Sequence, residues 1–476
     1  MSPHCCAFLP RGSIRLLRVL PQRDGVARIE CRLHVYDLLD SGRVHPFDAL
    51  SYVWGSQDRP RSIIVDDCEF AVGDNLHAAL LHIRDRFLER IIWIDAICIN
   101  QSDSVEKSHQ VQSTAMIYAK ANRVVIWLGE SAHDSDGALT EILGAAEEQS
   151  TKSSLEKRSI GVLLQRPWFQ RIWVLQELAA ARHVLIKCGN TEVDGYAFCL
   201  GLDALKQPIG SSPGQQAPIR TVTHLIRGSI FRPRDVTCQS DRFSLSLRPL
   251  IELLELRHNQ KATMRHDRIY ALLGICSDPD FARLSVNYIM PWKQLFRKLI
   301  KFIVSDDFAV DTWDEHEIAA MKGKGCVLGD VLSVERDAVS GDCETLVIRW
   351  VPDTLGFRGK RESCWSIQAM AEPVEAGDVV CSIHGAMRPM IVRPFDSHWT
   401  VIRIGVSSTR DLHLSSGYTE LRDHANRDFL LVWDRNTHSE KPEEGKDYES
   451  YITNRHDPYP CPKIEPENGL DSVVRV

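Results

Sequence analysis

The sequence predicts an α/β protein whose amino-terminal part is built on a parallel sheet. Two uninterrupted apolar runs, Ile91 to Ile94 and Val124 to Leu128, have the composition of strands that are covered on both faces. The segment between them predicts a helix from about Asp103 to Ala121, with Asp103 as the N-cap and Glu106 completing a capping box. This spacing matches a βαβ unit, whose right-handed crossover places both strands in one parallel sheet.

The residues on either side continue the α/β pattern. Strands are predicted by their apolar residues and flanking turn signals over Ile14–Leu20, Ile29–Tyr36 and Ala49–Trp54. Residues 63–72 predict a hairpin that turns at Asp66 and Asp67, and Asn75–Phe87 has helical spacing. Residues 131–160 are charged and rich in Ala and Ser, which is typical of a surface helix and loop.

Length and composition limit the classes of protein that the chain can belong to. Its 476 residues are enough for two or three domains, and 43% of them are apolar. A net charge of −7 argues against a general nucleic-acid binder, whose surface would be basic. We find neither a run of the roughly 18 apolar residues that a membrane span needs nor a signal-peptide core, so we expect a cytoplasmic protein. The 14 cysteines lack metal-ligand spacing, so we expect reduced thiols and no bound metal.

Polar residues follow directly on the first of the two apolar runs. Asp95, Asn100 and Gln101 come where this strand would end. In open α/β sheets, ligands bind in the crevice beyond the carboxyl ends of the strands. The alternative is that these side chains only organise the loop by bonding its backbone amides.

A second constellation lies on a helix predicted from Pro167 to about Ala181. Trp173 and Glu177 are four residues apart, which puts them on the same helix face. A carboxylate beside an indole on an apolar helix loses water, and this raises its pKa and makes it a candidate acid, base or cation stabiliser. The alternative is a buried ion pair with Arg171 or Arg182, which would lower the pKa.

The rest of the chain predicts further parts after an α/β domain over residues 1–206. Residues 207–244 have the Gly, Pro and Ser content of a linker, and residues 245–310 have helical spacing. An amphipathic helix at the end of that region, from Leu295 to Ile303, is expected to pack against the first domain; a membrane-surface role is the alternative. Residues 320–435 predict a small antiparallel β domain, and 436–476 a disordered tail.

Several sequence blocks resemble the successive motifs of the fungal heterokaryon incompatibility (HET) domain. These blocks are FDALSYVWG (47–55), IIWIDAICINQSDSVEK (91–107), MIYAKANRVVIWLGE (116–130) and RPWFQRIWVLQELA (166–179). Residues 264–276 and 375–394 resemble segments that commonly follow the domain. One departure is that Ser56 and Gln57 stand where family members usually have Asp and Pro, which puts in doubt any function needing an acid in that loop.

The resemblance implies a role in fungal non-self recognition and cell death, and a distant kinship with the flavodoxin-like TIR domains. TIR enzymes that cleave NAD carry a Trp-x-x-x-Glu spacing around the catalytic glutamate, which Trp173 and Glu177 repeat. The kinship implies NAD as a substrate, with no bound cofactor, and Glu177 as the catalytic carboxylate. The residues implied to bind NAD are Trp54, Gly55, Ser56, Asp95, Asn100, Gln101 and Trp173.

Two other readings remain open. Many TIR-like modules are adaptors without chemistry, which would make Glu177 structural and the partner either a second copy of the chain or another incompatibility protein. A homo-oligomer is expected under either TIR-like reading. A cysteine hydrolase built on Cys98 or Cys188 is the third reading, although no histidine partner is visible in the sequence. Whether Glu177 opens into a cleft with Asp95 and Trp54, or is closed off by arginine, separates the first two.

Overall fold

The structure is a computed structural model of the 476-residue chain. It describes residues 9–21, 28–39, 46–56, 58–147, 157–205, 213–231, 243–256, 260–306, 308–312, 316–336, 343–351, 362–368, 372–386, 388–395, 397–405 and 427–435. The predicted tail and Gln57 therefore lie outside the described residues. Two sheets organise what is described, each with its own helices and its own apolar core.

The first sheet has nine strands in the order β5-β4-β2-β1-β6-β3-β7-β8-β9. They are β1 Ser13–Val19, β2 Glu30–Asp37, β3 Asp48–Tyr52, β4 Arg61–Val65, β5 Cys68–Val72, β6 Arg90–Trp93, β7 Arg123–Trp127, β8 Val184–Cys188 and β9 Thr191–Asp194. The strands predicted in this part of the sequence are all present, including the β4–β5 hairpin, where Asp66 and Asp67 have positive φ.

The centre of this sheet is parallel. β6, β3, β7 and β8 are neighbours in that order, and each adjacent pair is parallel. Counted along the chain, these four strands follow the order 2-1-3-4 that flavodoxin-like sheets have. The change of direction falls between β3 and β7, so the carboxyl ends of these two strands form the switch point where such sheets bind ligands.

The whole sheet is mixed, although the prediction of an α/β fold with a parallel-containing sheet is confirmed. β1 is antiparallel to both β2 and β6, and β4–β5 and β8–β9 are antiparallel hairpins. The two hairpins follow from the length of their connections. A two-residue connection can only reverse the chain, whereas a parallel crossover needs a dozen residues or more.

Nine helices of the described residues belong to this first half. They are α1 Asp74–Ile83, α2 Asp95–Cys98, α3 Ser104–Gln112, α4 Thr114–Lys120, α5 Ser135–Ala146, α6 Lys157–Leu164, α7 Trp173–Ala180, α8 Gly195–Ala204 and α9 Pro213–Arg227. Short 3-10 turns lie at Pro167–Gln170 and Gly228–Phe231. The helix predicted from Pro167 to Ala181 is therefore a 3-10 turn followed by α7.

The helix predicted from Asp103 to Ala121 is also divided, because α3 ends and α4 begins at Ser113. Asp103 caps α3 as predicted, accepting the backbone N–H groups of Val105 and Glu106. The capping box does not close in the predicted way. The Asp103 N–H donates to the Asn100 carbonyl at 3.2 Å, and Glu106 accepts from the buried Arg15 at 2.6 and 3.0 Å and from the Asn100 N–H at 2.8 Å.

The segment predicted as a linker contains α9 and the 3-10 turn after it. Val222 and Ile226 of α9 are buried in the first core with Ile219, at the three- and four-residue spacing of a helix face. The Gly, Pro and Ser content of residues 207–220 concealed this spacing. Residues 206–212 and 232–242 lie outside the described residues.

The second sheet follows three helices, α10 Leu250–Leu256, α11 Asp267–Leu273 and α12 Trp292–Ile303, and a 3-10 turn at Phe281–Leu284. Its eight described strands are β10 Ala309–Thr312, β11 Ile318–Arg336, β12 Cys343–Trp350, β13 Glu362–Gln368, β14 Val379–Ile383, β15 Met390–Pro394, β16 Trp399–Arg403 and β17 Arg427–Asp434. All described pairs are antiparallel except β16–β17. The predicted antiparallel character is therefore present, and strand structure begins at Ala309.

The amphipathic helix α12 packs on the second sheet and not mainly on the first domain as predicted. Leu295, Phe296, Leu299 and Ile300 are buried in the second core. The Phe296 ring stacks on Trp433 of β17 with centroids 6.3 Å apart. The strand that follows α12 in the chain brings the sheet under its apolar face. In the part of the chain that the structure describes, every helix is too short or too polar to cross a bilayer.

Two helical glycines on the α5–α8 pair allow a matched stability test. A Cβ on Gly201 of α8 would lie 1.9 Å from the Ile142 carbonyl oxygen, whereas a Cβ on Gly144 of α5 would meet nothing within 4 Å. We expect Gly201→Ala to lower the free energy of unfolding by about 1–3 kcal/mol through overpacking. Gly144→Ala should raise it by about 0.5–1 kcal/mol because Ala loses less backbone entropy. Urea unfolding measures both, and equal effects would contradict the close α5–α8 contact.

Candidate functional site

A buried polar cluster lies at the carboxyl end of β3. Ser51 is the polar residue of an otherwise apolar strand end, and its hydroxyl donates to Glu177 Oε2 in a very short bond. The same hydroxyl accepts the indole N–H of Trp168 at 2.8 Å. Ser51, Trp168, Arg171 and Glu177 form what we call the Glu177 cluster. It joins the central strand to α7 and to the 3-10 turn before it.

Arg171 closes this cluster. Its guanidinium donates to the carbonyl of Tyr52 and lies 3.9 Å from Glu177 Oε1. The Glu177 side chain is 5% exposed and that of Arg171 18%. Of the two arginines predicted as partners of Glu177, Arg171 is the one in place. Arg182 donates to the carbonyls of Lys120 and Ala121 at the end of α4.

Burial raises the pKa of Glu177 to about 7, and a nearby Asp95 adds to this rise. Arg171 and the Ser51 hydroxyl act in the opposite direction because both stabilise the ionised carboxylate. The predicted ion pair is thus present, but it does not lower the pKa below the ordinary range. The rise in the Glu177 pKa caused by desolvation is larger than the lowering caused by the Arg171 guanidinium, which is almost 4 Å away.

Asp95 forms a second carboxyl group at the same edge. It follows β6, and its Oδ2 accepts the indole N–H of Trp54 at 2.8 Å. Tyr52 also hydrogen-bonds to it. Loss of water raises the pKa of Asp95, whereas Arg171 and the Trp54 N–H oppose the rise. The two carboxyl groups and Arg171 therefore form one electrostatic unit.

Asn100 and Gln101 organise the loop and do not point into this unit. The Asn100 side-chain oxygen accepts from the Ser102 backbone N–H at 3.2 Å and from its hydroxyl at 2.7 Å. The Gln101 amide donates to the Asp95 carbonyl at 2.9 Å. These contacts agree with the alternative given above for Asn100 and Gln101, in which their side chains organise the loop after β6.

The loop after β3 is the open side of the site. Trp54 is 39% exposed. Gly55 has a φ of +78°, a conformation that favours glycine, and a Cβ there would meet nothing within 4 Å. Ser56 donates to Asp58 Oδ2 at 3.0 Å. Asp58 thus supplies a carboxylate in the loop where the sequence departs from the family pattern, and it was missed in the sequence.

Trp173 is not brought to the Glu177 carboxylate. Its indole hydrogen-bonds to Asp267 of α11, and its ring packs against the second core. A shared helix face therefore does not bring the indole to the carboxyl, and the NAD-binding role of Trp173 stays a prediction. Residues four apart share a helix face, but α7 lies between two cores, and the long indole turns to the second.

The cysteine reading loses support. Cys98 and Cys188 are both buried. Burial raises the pKa of Cys98 to about 12 and raises that of Cys188 as well. A nucleophilic cysteine needs the thiolate, which these surroundings disfavour.

Other residues of the site were missed because their role depends on contacts distant in sequence. Tyr118 of α4 donates to the Leu50 carbonyl at 2.9 Å, next to the Glu177 cluster. Asn75 of α1 bridges the switch point, donating to the Val53 carbonyl at 2.6 Å and accepting from the Trp127 indole at 2.9 Å. The lone Ser51 within an apolar run was the one usable sequence signal.

In the described conformation Glu177 is nearly closed to a substrate, because its side chain is only 5% exposed. Two cavities of about 10 and 50 Å³ occur in the described part of the chain. The first is lined by Gln176 and residues of α3 and α11, the second by residues around Arg388 and Ile404. Glu177 lines neither of them. The site therefore holds a carboxyl of near-neutral pKa behind an arginine.

The comparisons with known proteins concern the same segment. Residues 47–177 match the family model described as Heterokaryon incompatibility protein (HET). "Heterokaryon incompatibility protein 6, OR allele" of Neurospora crassa is 25% identical over 363 residues, which cover 63% of this chain and 53% of that protein. The chain thus spans about half the length of this curated relative. No solved structure was found to match. The HET resemblance predicted from the motif blocks is confirmed, whereas the TIR-like kinship stays a prediction.

The near-neutral pKa of Glu177 predicts a stability effect with a definite sign. An unfolded glutamate titrates at ~4.3, so between that pH and about 7 the folded state holds a proton that the unfolded state releases. Stability contributed by the protonated group is present below the unfolded pKa and is lost as pH rises through about 7. Relative to Glu177→Gln, the free energy of unfolding of the wild type should fall by roughly 3–4 kcal/mol across this window.

Urea unfolding of both proteins at a series of pH values measures this difference. The exposed Glu69→Gln is the control and should differ from the wild type by less than ~0.5 kcal/mol throughout. A wild type that gains stability over Glu177→Gln as pH rises would show that Arg171 dominates the carboxyl.

Proposed function

We propose that the chain acts in fungal heterokaryon incompatibility and cell death through its HET domain. Two observations support this role. The matched segment, residues 47–177, contains Ser51, Asp95, Trp168, Arg171 and Glu177, so the whole polar site lies within it. The curated relative is named as a heterokaryon incompatibility protein. The role of the whole protein is proposed here from a relative of which this chain matches 53%.

For the molecular activity we propose NAD cleavage at Glu177, with the described conformation as a closed resting state. The observation that carries this is the burial of an ionisable glutamate at the ligand-binding edge of the sheet. A buried ion pair is a poor way to gain stability, since desolvation offsets its attraction. A carboxyl with a pKa near 7 beside a second carboxyl, at a switch point, is instead typical of a functional site.

The chemistry follows from the charge that develops on the substrate. When the bond between nicotinamide and ribose breaks, nicotinamide leaves with the electron pair and positive charge appears on the sugar. An ionised Glu177 would stabilise that charge electrostatically. Water then adds to the ribose carbon and releases a proton, which gives ADP-ribose. Trp54 and Asp95 would line the entrance, and Arg171 would have to withdraw from Glu177 to admit the substrate.

A second candidate is a non-catalytic adaptor that signals by self-association. The closure of Glu177 by Arg171 favours it, because a purely structural ion pair needs no access. Its partner would be a second copy of the chain or another incompatibility protein. Under this reading the HET motifs maintain the fold and an assembly surface.

Nicotinamide release by the purified chain at high concentration separates the two candidates. We expect release by the wild type, and a loss of about 100-fold or more in Glu177→Gln, because the substitution removes the charge that stabilises the transition state. Release should rise with pH through about 7 as Glu177 ionises. Glu69→Gln, which changes an exposed carboxylate on β5, should release nicotinamide at the wild-type rate.

Circular dichroism must show that Glu177→Gln is folded, and light scattering must give the oligomeric state of each protein. A folded, self-associated wild type that releases no nicotinamide at any pH would sink NAD cleavage and leave the adaptor. Equal release by the wild type and Glu177→Gln would assign the cleavage to another site.

A further inference from the structure

Helix α7 is shared between the two halves of the molecule. Val174 and Leu178 belong to the first core, whereas Leu175 and Ala179 belong to the second. Gln176 joins both sides as well. In the amide orientation that satisfies its neighbours, it donates to the Ala271 carbonyl of α11 and accepts from the Ala115 N–H of α4, each at 2.9 Å. The helix that carries Glu177 is therefore held from both directions.

The backbone just before α7 pairs with a segment from the second half. Lys261 N–H donates to the Gln170 carbonyl at 2.6 Å, and Ile172 N–H donates to the Lys261 carbonyl at 3.0 Å. These two bonds form an isolated parallel bridge between Arg171 and Lys261. In the amide orientation that satisfies its neighbours, the buried Gln260 donates to the carbonyls of Gln170 at 2.8 Å and Arg171 at 3.2 Å. The carbonyl and amide groups on both sides of Arg171 are thus tied to residues 260–261.

Arg171 is also the residue that closes Glu177. Its backbone is fixed by residues 260–261, and its guanidinium spans the Tyr52 carbonyl and the Glu177 carboxyl. A side chain held at such a position keeps its contacts only while its backbone stays in place. Trp173 adds an anchor on the other side, because its indole bonds to Asp267, which also accepts from Tyr288 at 2.7 Å.

We propose that Gln260 and Lys261 form a latch that holds Arg171 across Glu177, so that the helical second half controls access to this carboxyl. Displacement of residues 260–261 would free the Arg171 segment and open the edge of the sheet beside Asp95 and Trp54. The latch rests on the proposed function in that Glu177 is taken as the site carboxyl. Its positioning role is a physical claim that does not require NAD cleavage.

The latch is testable because its bonds come from the backbone of a residue with an exposed side chain. Lys261→Pro removes the N–H that donates to Gln170, while Lys261→Ala keeps that N–H and serves as the matched control. Gln260→Leu is a second variant, which removes the amide donor at nearly the same volume. Near-UV circular dichroism and thermal unfolding identify variants that are folded.

Access to Glu177 is measured by carbodiimide-driven coupling of glycine ethyl ester in the full chain, followed by mass spectrometry of the peptide that contains it. We expect coupling at Glu177 to rise about tenfold in Lys261→Pro and in Gln260→Leu, since each loses hydrogen bonds of the latch. Lys261→Ala should react like the wild type. Hydrogen exchange at Ile172 should quicken by a similar factor in the same two variants.

The outcomes separate the latch from the activity. Unchanged coupling at Glu177 in folded Lys261→Pro and Gln260→Leu would overturn the latch. Increased coupling in Lys261→Ala equal to that in Lys261→Pro would also overturn it, because the backbone bonds would then not matter. Increased coupling in Lys261→Pro and Gln260→Leu, but not in Lys261→Ala, supports the latch. If these two variants release no nicotinamide, that result counts against NAD cleavage and not against the latch.

Discussion

The constraint on which the rest of the structure depends is the burial of the Glu177 carboxyl against the central strand. β3 lies between β6 and β7, so Ser51 has no water to bond and must find its partners within the protein. Glu177 and Trp168 provide them, and Arg171 then balances the carboxyl. Removing one member would leave another buried and unpaired, which costs more than the pair contributes. These bonds fix the position of α7 relative to the sheet, because Glu177 lies on α7 and Ser51 lies on β3.

A raised carboxyl pKa alone does not mark a functional site in this protein. Glu255 of α10 also has its pKa raised to about 7 by burial. It accepts the Ile404 N–H at 2.9 Å and lies near Arg403, where α10 docks on the second sheet. That surrounding is interior packing between a helix and a sheet. Glu177 differs because it lies at the carboxyl edge of parallel strands, where open sheets bind ligands.

The second half is part of the environment of the site and not a separate appendage. The HET match ends at Glu177, yet four residues within five positions of it contact or bond with the second half: Ile172, Leu175, Gln176 and Ala179. Gly274 illustrates how close this approach is, since a Cβ there would lie 2.3 Å from the Gln176 amide. A shift of α11 would therefore displace α7 as well, because closely packed interiors transmit displacement instead of absorbing it.

Local pattern was sufficient for the strands β3, β6 and β7, the Asp103 cap, the β4–β5 turn and the HET motifs, because apolar periodicity and turn chemistry act over a few residues. Tertiary structure alone decided that Arg171 and not Arg182 meets Glu177, that Trp173 turns to Asp267, and that the supposed linker contains α9. It also decided that β1 runs antiparallel beside β6. These outcomes depend on which surfaces meet across the fold. Arg171 is near Glu177 in the chain, but the Tyr52 carbonyl that holds its guanidinium is 119 residues away. The pKa of Glu177 belongs to the same class, because desolvation is a property of the assembled core.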